Sequence, residues 1–136
     1  MTPRSRPQPI RVLLVDDDPM VLSLVESFLD AVDADLEVVA AHSPADGLTR
    51  LERDDHTVDC IVSDYHMPDV DGIEFLTRVR ELDDTVPFVL YTSDPSEDLL
   101  TTARERGATA CIQKCGSPEH FESLAARISR LSARRQ

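Results

Sequence analysis

The sequence predicts an α/β domain in which a doubly wound, parallel five-stranded sheet is covered by helices on both faces. Five short apolar runs alternate with five longer segments that have helical spacing. The runs are nearly continuous rather than alternating, which is typical of strands buried on both faces. Parallel strands also require crossover connections, which the helical segments supply. The predicted strands are Ile10–Val15, Leu36–Ala41, Cys60–Ser63, Phe88–Thr92 and Ala110–Gln113.

The first two helices are predicted from the residues at their starts. Pro19 opens the first helix, because proline suits the first helical turn. Ser43 and Pro44 supply a cap and a first-turn proline for the second helix, which is predicted to end near Arg53. The apolar residues predicted to share one face of the first helix are Met20, Leu24, Phe28 and Val32.

The last three helices have similar start and stop signals. Asp71 and Gly72 precede the third helix, and Ser117–Pro118 begins the fifth. Ser96 can cap the fourth helix, which Gly107 ends. The apolar residues predicted to face inward in the third helix are Phe75, Leu76, Val79 and Leu82. Those predicted to be buried in the fourth are Leu99, Leu100 and Ala103, and those predicted to form an apolar stripe in the fifth are Phe121, Leu124, Ile128 and Leu131.

The composition is strongly acidic. Fourteen basic residues against 26 acidic ones give a formal net charge of −12, which argues against binding to nucleic acid or to anionic membranes. Thirteen of the basic residues are arginine, and Lys114 is the only lysine. Aspartate outnumbers glutamate, 17 to 9, a surface chemistry similar to that of proteins from a high-salt cytoplasm such as that of haloarchaea, where screening tolerates crowded charge.

The chain is predicted to hold one domain with short flanks. Residues 1–9, with three prolines, are expected to be a disordered lead-in, residues 10–131 to form the domain, and residues 132–136 to be a tail or the start of a linker. No apolar stretch approaches the roughly 18 residues that span a bilayer, and no signal-peptide core precedes Ile10. Three cysteines are expected to be buried or half-buried thiols in a reducing cytoplasm: Cys60, Cys111 and Cys115.

Charged residues follow several of the predicted strands. Asp16 and Asp17 follow the first strand, and Asp64 follows the third. Thr92 ends the fourth strand, and Lys114 follows the fifth. Aspartate alone after a strand is common in turns and helix caps. In open α/β sheets, however, the carboxyl ends of the strands form the binding crevice, so these side chains can converge on one pocket.

The chemistry of this set favours a divalent cation and a phosphoryl group. Three clustered carboxylates repel one another unless a cation joins them. Mg²⁺ prefers oxygen ligands and commonly partners phosphate. With that charge neutralised, Asp64 can attack a phosphoryl donor and form an acyl phosphate, while Thr92 and Lys114 bond the phosphoryl oxygens.

The chain resembles the receiver domain of two-component response regulators over about residues 10–131. The resemblance lies in four stretches that occur in order: V-L-L-V-D-D-D-P (12–19), D-C-I-V-S-D-Y-H-M-P-D-V-D-G (59–72), F-V-L-Y-T-S (88–93) and Q-K (113–114). It implies a flavodoxin-like fold with strand order 2-1-3-4-5. It also implies a cytoplasmic signalling domain that takes a phosphoryl group from a sensor histidine kinase and removes it slowly, rather than a turnover enzyme.

The resemblance further assigns roles to individual residues. Asp64 is the implied phospho-acceptor, Asp17 a direct Mg²⁺ ligand and Asp16 a ligand through water. The backbone carbonyl of His66 completes the protein ligands, and Thr92 and Lys114 contact the phosphoryl group. The implied output surface comprises helix four, strand five and helix five, roughly residues 96–131. A downstream protein, or a second copy in a homodimer, is the implied partner of that surface.

Two positions depart from the family pattern. The family usually has proline after its lysine, where this chain has Cys115 and then Gly116. A cis peptide bond is therefore not expected, and the loop after strand five should be shaped differently, with Gly116 supplying any unusual backbone angles. The family also often has an aromatic residue where Cys111 stands, so aromatic rotation cannot be the output, and Tyr91 is predicted to lie too deep in its strand to replace it.

The remaining candidate residues are polar. His66 and Asp94 lie two residues beyond Asp64 and Thr92, where the family tunes the lifetime of the acyl phosphate; the alternative is that they are solvent-facing polar residues without a role. The other three histidines, His42, His56 and His120, are expected to be ordinary surface residues.

Two other functions are consistent with parts of the sequence. An unphosphorylated receiver could act only as a docking or dimerisation module, which Cys111 and Cys115 keep open. A free-standing aspartyl phosphatase is disfavoured, because His66 stands where such enzymes need a second carboxylate. The sequence leaves open whether the chain is a single-domain regulator or the receiver piece of a longer protein.

Overall fold

The sheet and its helices follow the predicted alternation. A computed structural model describes residues 9–33, 35–53, 58–115 and 117–135, in which five strands alternate with five helices. The strands are β1 (Ile10–Val15), β2 (Leu36–Ala41), β3 (Cys60–Ser63), β4 (Phe88–Thr92) and β5 (Ala110–Gln113). The helices are α1 (Pro19–Val32), α2 (Pro44–Arg53), α3 (Gly72–Leu82), α4 (Glu97–Arg106) and α5 (Pro118–Arg135).

The strands pair in the order β2-β1-β3-β4-β5, and every pairing is parallel. This order confirms the predicted 2-1-3-4-5 arrangement. Val15 lies opposite Ala41 on one side and Ser63 on the other, so β1, β2 and β3 end at the same level. The residues that follow these strands are consequently brought together at one edge of the sheet.

Helices bury both faces of the sheet. In β1, Val12 and Leu14 point to one face, where they pack with residues of α1 and α5. Leu13 and Val15 point to the other face, where they pack with α3 and α4. This alternation follows from the two-residue period of a strand. β1, β3 and β4 are almost wholly buried, whereas the edge strands β2 and β5 are partly exposed.

Side chains cap several helices in the expected way. Asp18, Asp71 and Ser96 each accept a hydrogen bond from a backbone N–H in the first turn of α1, α3 and α4. Gly107 ends α4 with a φ of 107°, a left-handed conformation that glycine adopts without strain. The predicted cap at Ser96 and stop at Gly107 are confirmed.

The predicted packing face of α1 is wrong. Leu22, Val25 and Leu29 are buried against the sheet, whereas Met20 is 79% exposed and Leu24 53% exposed. Of the predicted residues, only Phe28 makes a core contact, by stacking on Phe121. The error arises because α1 is apolar on more than one face, so that spacing alone selects two stripes equally well.

Two smaller packing predictions also need correction. Leu82 was predicted to face inward but is 49% exposed, because it lies in the last turn of α3, beyond the buried Val79. Leu99 and Leu100 are half-buried, and Ala103 is the buried residue of α4. The stripe predicted for α5 is buried throughout, at Phe121, Leu124, Ile128 and Leu131.

Some predictions fall outside the described residues. Of the predicted lead-in only Pro9 is described, and His56 and Gly116 are not described. The helix α5 continues to Arg135, through most of the segment predicted as a tail. The predicted domain boundaries stay a prediction. No helix in the described part of the chain is both long enough and apolar enough to cross a bilayer.

We predict that Gly72→Ala destabilises the fold by about 1–3 kcal/mol, a typical cost of overpacking. A Cβ at Gly72 would lie 2.5 Å from the carbonyl oxygen of Asp64 and 2.9 Å from the Cα of Tyr65, so backbone would have to move. The free energy of unfolding in urea measures the loss.

Gly47→Ala is the matched control. Its Cβ would meet side chains and no backbone, at 3.1 Å from the ring of Phe75 and 3.3 Å from Val15, and alanine favours the helix. An equal loss of stability in both variants would contradict the backbone-contact explanation.

Candidate functional site

Backbone hydrogen bonds fix two aspartates at the carboxyl edge of the sheet. The N–H of Asp16 donates to the carbonyl of Ala41 at 3.1 Å, and the N–H of Asp64 donates to the carbonyl of Val15 at 2.9 Å. Asp16 is 2% exposed and Asp64 9% exposed, while Asp17 is exposed. One carboxylate oxygen from each of the three residues lies within 4.8 Å of the others. The structure therefore brings the three predicted acids together.

Lys114 reaches the same cluster from the loop after β5. Its backbone N–H donates to the carbonyl of Thr92 at 2.8 Å, which holds the start of the loop against β4. Its ammonium Nζ lies 3.1 Å from Asp16 Oδ2 and 3.1 Å from Asp64 Oδ1. The single lysine of the chain thus bridges two carboxylates that come from different strands.

Burial and charge act against each other at this site. Burial raises the pKa of Asp16, and the nearby Asp64 raises it further, while the N–H of Asp18 and the charge of Lys114 oppose the rise. Burial alone lowers the pKa of Lys114, but Asp16 and Asp64 outweigh it, and the pKa lies above its ordinary value. The ammonium is therefore firmly charged, and the carboxylates carry more negative charge than it can balance.

Three carboxylates with their oxygens so close form a donor set that suits a hard divalent cation. Mg²⁺ accepts oxygen ligands and is commonly held by one or two carboxylates together with water. The raised pKa of Asp16 shows that its charge is costly in the protein alone, which a cation would relieve. The residues present therefore fit a magnesium ion.

Thr92 and Asp94 lie at the end of β4. Thr92 is fully buried, and its Oγ accepts a hydrogen bond from the backbone N–H of Asp94 at 3.3 Å. The side chain of Asp94 is exposed. Both residues are therefore at the edge of the sheet that carries the acids, as predicted.

His66 lies in the loop between β3 and α3. Its side chain is exposed and packs edge-on against Tyr65, with ring centroids 4.7 Å apart. The backbone N–H of Tyr65 donates to Asp64 Oδ1 at 2.8 Å, and the carbonyl of Tyr65 accepts from the N–H of Gly72 at 2.8 Å. These bonds close the loop on the neighbourhood of Asp64.

The cysteines and histidines depart in part from their predicted environments. Cys60 is buried and Cys111 half-buried, as expected, but Cys115 is exposed. His42 is exposed, as expected, but His120 is not an ordinary surface residue. It is half-buried and lies 2.7 Å from the hydroxyl of Tyr91. This pair could not be predicted from the sequence, because the two residues are 29 positions apart and meet only through the fold.

A family model described as the response regulator receiver domain matches residues 12–126. The chain belongs to this family. It is therefore a receiver domain of two-component response regulators, and its five parallel strands in the order 2-1-3-4-5 agree with this family. Receiver domains bind Mg²⁺ through acidic residues, and they interact with histidine kinases and with downstream effectors.

Curated relatives show the same family. The transcriptional regulatory protein TrcR of Mycobacterium tuberculosis is 37% identical over 131 residues, which cover 96% of this chain and 48% of that protein. The response regulator Rre1 of Synechocystis is 30% identical over 131 residues, which cover 95% of this chain and 54% of that protein. The chain thus spans about half the length of these two relatives.

Solved structures agree with the fold. The chemotaxis protein CheY4 of Vibrio cholerae has a TM-score of 0.79 and 27% identity, with 88% of this chain and 98% of that chain covered. A receiver domain protein from Clostridium thermocellum has a TM-score of 0.81 and 21% identity, with 93% of this chain and 96% of that chain covered. The second likeness concerns the fold alone.

We predict that Asp16→Asn stabilises the metal-free protein at pH 7 by about 1 kcal/mol, within the usual range of single substitutions. The pKa of the Asp16 carboxyl is higher in the folded protein than in the unfolded chain. Such a group stabilises the fold at pH values below its unfolded pKa, and this stabilisation is lost as the pH rises through its folded pKa. The amide keeps the shape and removes the costly charge. Urea unfolding with EDTA measures the difference.

Two comparisons complete this test. Asp84→Asn, an exposed position before β4, is the control and should leave stability unchanged. Added Mg²⁺ should stabilise the wild type more than Asp16→Asn, because the variant has lost a ligand charge. A variant less stable than the wild type in EDTA would show that Asp16 is not under electrostatic strain.

Proposed function

We propose that this domain accepts a phosphoryl group from a sensor histidine kinase on Asp64, in a Mg²⁺-dependent reaction, and thereby switches a protein-interaction surface. The observation that carries the proposal is the position of the Asp64 carboxylate. It lies beside two further aspartates and within 3.1 Å of the ammonium of Lys114. A nucleophile, a cation-binding set and a phosphoryl partner are thus within reach of one another.

The two oxygens of Asp64 suit different tasks. Oδ1 accepts hydrogen bonds from Lys114 Nζ and from the N–H of Tyr65. Among the described residues, no hydrogen bond reaches Oδ2, so this oxygen is the one we assign to attack. The bond from Oδ2 to phosphorus forms as the phosphorus–nitrogen bond of the kinase's phosphohistidine breaks, and the departing imidazole takes up a proton.

The metal ligands follow from the same cluster. We assign Asp17 as a direct Mg²⁺ ligand, because its side chain is the most exposed of the three. We assign Asp16 as a ligand through water, and Asp64 and the backbone carbonyl of His66 as the remaining protein ligands. When bound, Mg²⁺ neutralises the carboxylates and the incoming phosphoryl oxygens.

Contacts to the new phosphoryl group supply the free energy of switching. The ammonium of Lys114 can move from the carboxylates to a phosphoryl oxygen. The hydroxyl of Thr92 can donate a hydrogen bond to another phosphoryl oxygen. Each such charge-assisted bond is worth about 1.5–3 kcal/mol. Two of them approach the roughly 5.5 kcal/mol that shifts a population from 1:99 to 99:1.

His66 and Asp94 are proposed to tune the lifetime of the acyl phosphate. Both side chains are exposed, and they lie two residues beyond Asp64 and Thr92, near the ends of β3 and β4. There they can hinder or admit the water that hydrolyses the acyl phosphate, and so set the rate of self-dephosphorylation.

The output surface is proposed to comprise α4, β5 and α5, within residues 96–131. Thr92 ends β4, and its carbonyl holds Lys114 at the start of the loop into α5, so a change at the site reaches these elements directly. A downstream protein, or a second copy of the chain, is the proposed partner. We place the domain, residues 10–131, in the cytoplasm, without direct contact to nucleic acid or membrane, in accord with the net charge of −12.

Intact mass spectrometry after incubation with Mg²⁺ and acetyl phosphate tests the proposal. We expect a phosphoryl-sized mass gain in the wild type and none in Asp64→Asn, because the amide oxygen cannot act as the nucleophile. Omission of Mg²⁺ should abolish the gain.

Asp84→Asn serves as the control, since this exposed aspartate precedes β4 and lies at the opposite end of the strand from the site. It should gain mass as the wild type does. Absence of a mass gain in the wild type at saturating Mg²⁺ would contradict the proposal and would favour a docking module instead.

A further inference from the structure

Tyr91 and His120 form a polar contact in an otherwise apolar layer. Tyr91 lies in β4 and is 3% exposed, in the cluster that α1 and α5 cover. Its hydroxyl lies 2.7 Å from Nε2 of His120, in the first turn of α5. The two rings are also nearly parallel, with centroids 5.6 Å apart and an interplanar angle of 11°.

The contact joins two neutral groups. Burial raises the pKa of Tyr91 to about 12, and the nearby Cys115 and Asp16 add to the rise, so the phenol is protonated at neutral pH. Burial lowers the pKa of His120, which keeps the imidazole neutral. A protonated phenol and a neutral imidazole share one hydrogen bond, whose direction depends on which imidazole nitrogen of His120 carries the proton.

The contact closes the loop that carries Lys114. At its start, the N–H of Lys114 donates to the carbonyl of Thr92 at 2.8 Å. At its end, His120 is bound to Tyr91, the residue that precedes Thr92. Two adjacent residues of β4 thus hold both ends of the connection from β5 to α5.

Tyr91 also contacts the ammonium itself. Lys114 Nζ lies 5.6 Å from the centroid of the Tyr91 ring, within the range of a cation–π interaction. The same ammonium bridges Asp16 and Asp64. The ring therefore limits the positions that the Lys114 side chain can take.

His120 is in turn held by aromatic packing. Its ring meets Phe121 edge-on at 5.2 Å, and Phe121 stacks on Phe28 of α1 at 4.4 Å. This packing orients the imidazole toward β4 and links the contact to the α1–α5 layer. The histidine is thus a packed partner of Tyr91 rather than an unpacked surface side chain.

We propose that Tyr91 and His120 are positioning residues for Lys114: their contact clamps the β5–α5 loop and holds the ammonium at the carboxylates. The chain has Cys115 where the family usually has a proline, whose ring restricts the backbone of this loop. Here a contact from outside the loop can restrict it instead. The consequence for phosphoryl transfer rests on the proposed function, whereas the position of Lys114 does not.

The single lysine makes the proposal directly observable. In protein grown with isotope-labelled lysine, every lysine side-chain NMR signal comes from Lys114. We expect Tyr91→Phe, which keeps the ring and removes only the hydroxyl, to shift this signal and to lower the side-chain order parameter. His120→Leu should do the same, although no contact joins its side chain to the ammonium.

Two further variants separate positioning from general packing. His120→Gln keeps an amide that can accept from the phenol or donate to it, and it should restore most of the wild-type signal. The double variant of Tyr91→Phe and His120→Leu should change the signal no more than either alone, because both break one contact. His42→Leu, at an exposed histidine on another part of the fold, is the control and should leave the signal unchanged.

The rate of mass gain with acetyl phosphate gives the functional readout. We expect it to fall roughly two- to fivefold in Tyr91→Phe and His120→Leu, the size of effect that loss of one neutral hydrogen bond gives, with recovery in His120→Gln. If the wild type gains no mass but the variants still shift the lysine NMR signal, the proposed function is contradicted and the clamp is supported. Unchanged lysine signals in a folded Tyr91→Phe would overturn the clamp.

Discussion

The ion-paired contact of Lys114 with Asp16 and Asp64 is the constraint on which the site depends. It joins the ends of β1, β3 and β5 through two bonds of 3.1 Å, and it offsets part of the repulsion among three aspartates. One ammonium cannot balance three carboxylates, so the site retains excess negative charge. This excess negative charge accounts for the fit to a divalent cation. Once a cation neutralises the carboxylates, the ammonium of Lys114 is available to a phosphoryl group.

Most of the fold could be predicted because its signals are local. The apolar runs define all five strands, and residues such as Ser96 and Gly107 mark helix ends through their own backbone preferences. The acids were also predictable, since Asp16 and Asp64 directly follow strands that any parallel sheet would align. Position in a strand, combined with the geometry of the sheet, was enough to bring these side chains together.

The failures concern contacts that local patterns do not determine. In α1, Met20 and Leu24 fit a helical stripe as well as Leu22 and Val25 do, and only the position of the sheet decides which stripe is buried. His120 is predicted as a surface residue because its hydrogen bond is to Tyr91, which lies on a different element. Charge and polarity therefore identify candidate residues, whereas their partners follow from tertiary packing.

The pKa of Lys114 in the metal-free protein tests the central electrostatic claim most directly. An NMR titration of labelled lysine reports this group alone, because the chain has no other lysine. The two carboxylates are predicted to hold the pKa above the ordinary value of 10.5, and removal of one charge by Asp16→Asn is predicted to lower it. A wild-type pKa at or below the ordinary value, unchanged in the variant, would contradict the account.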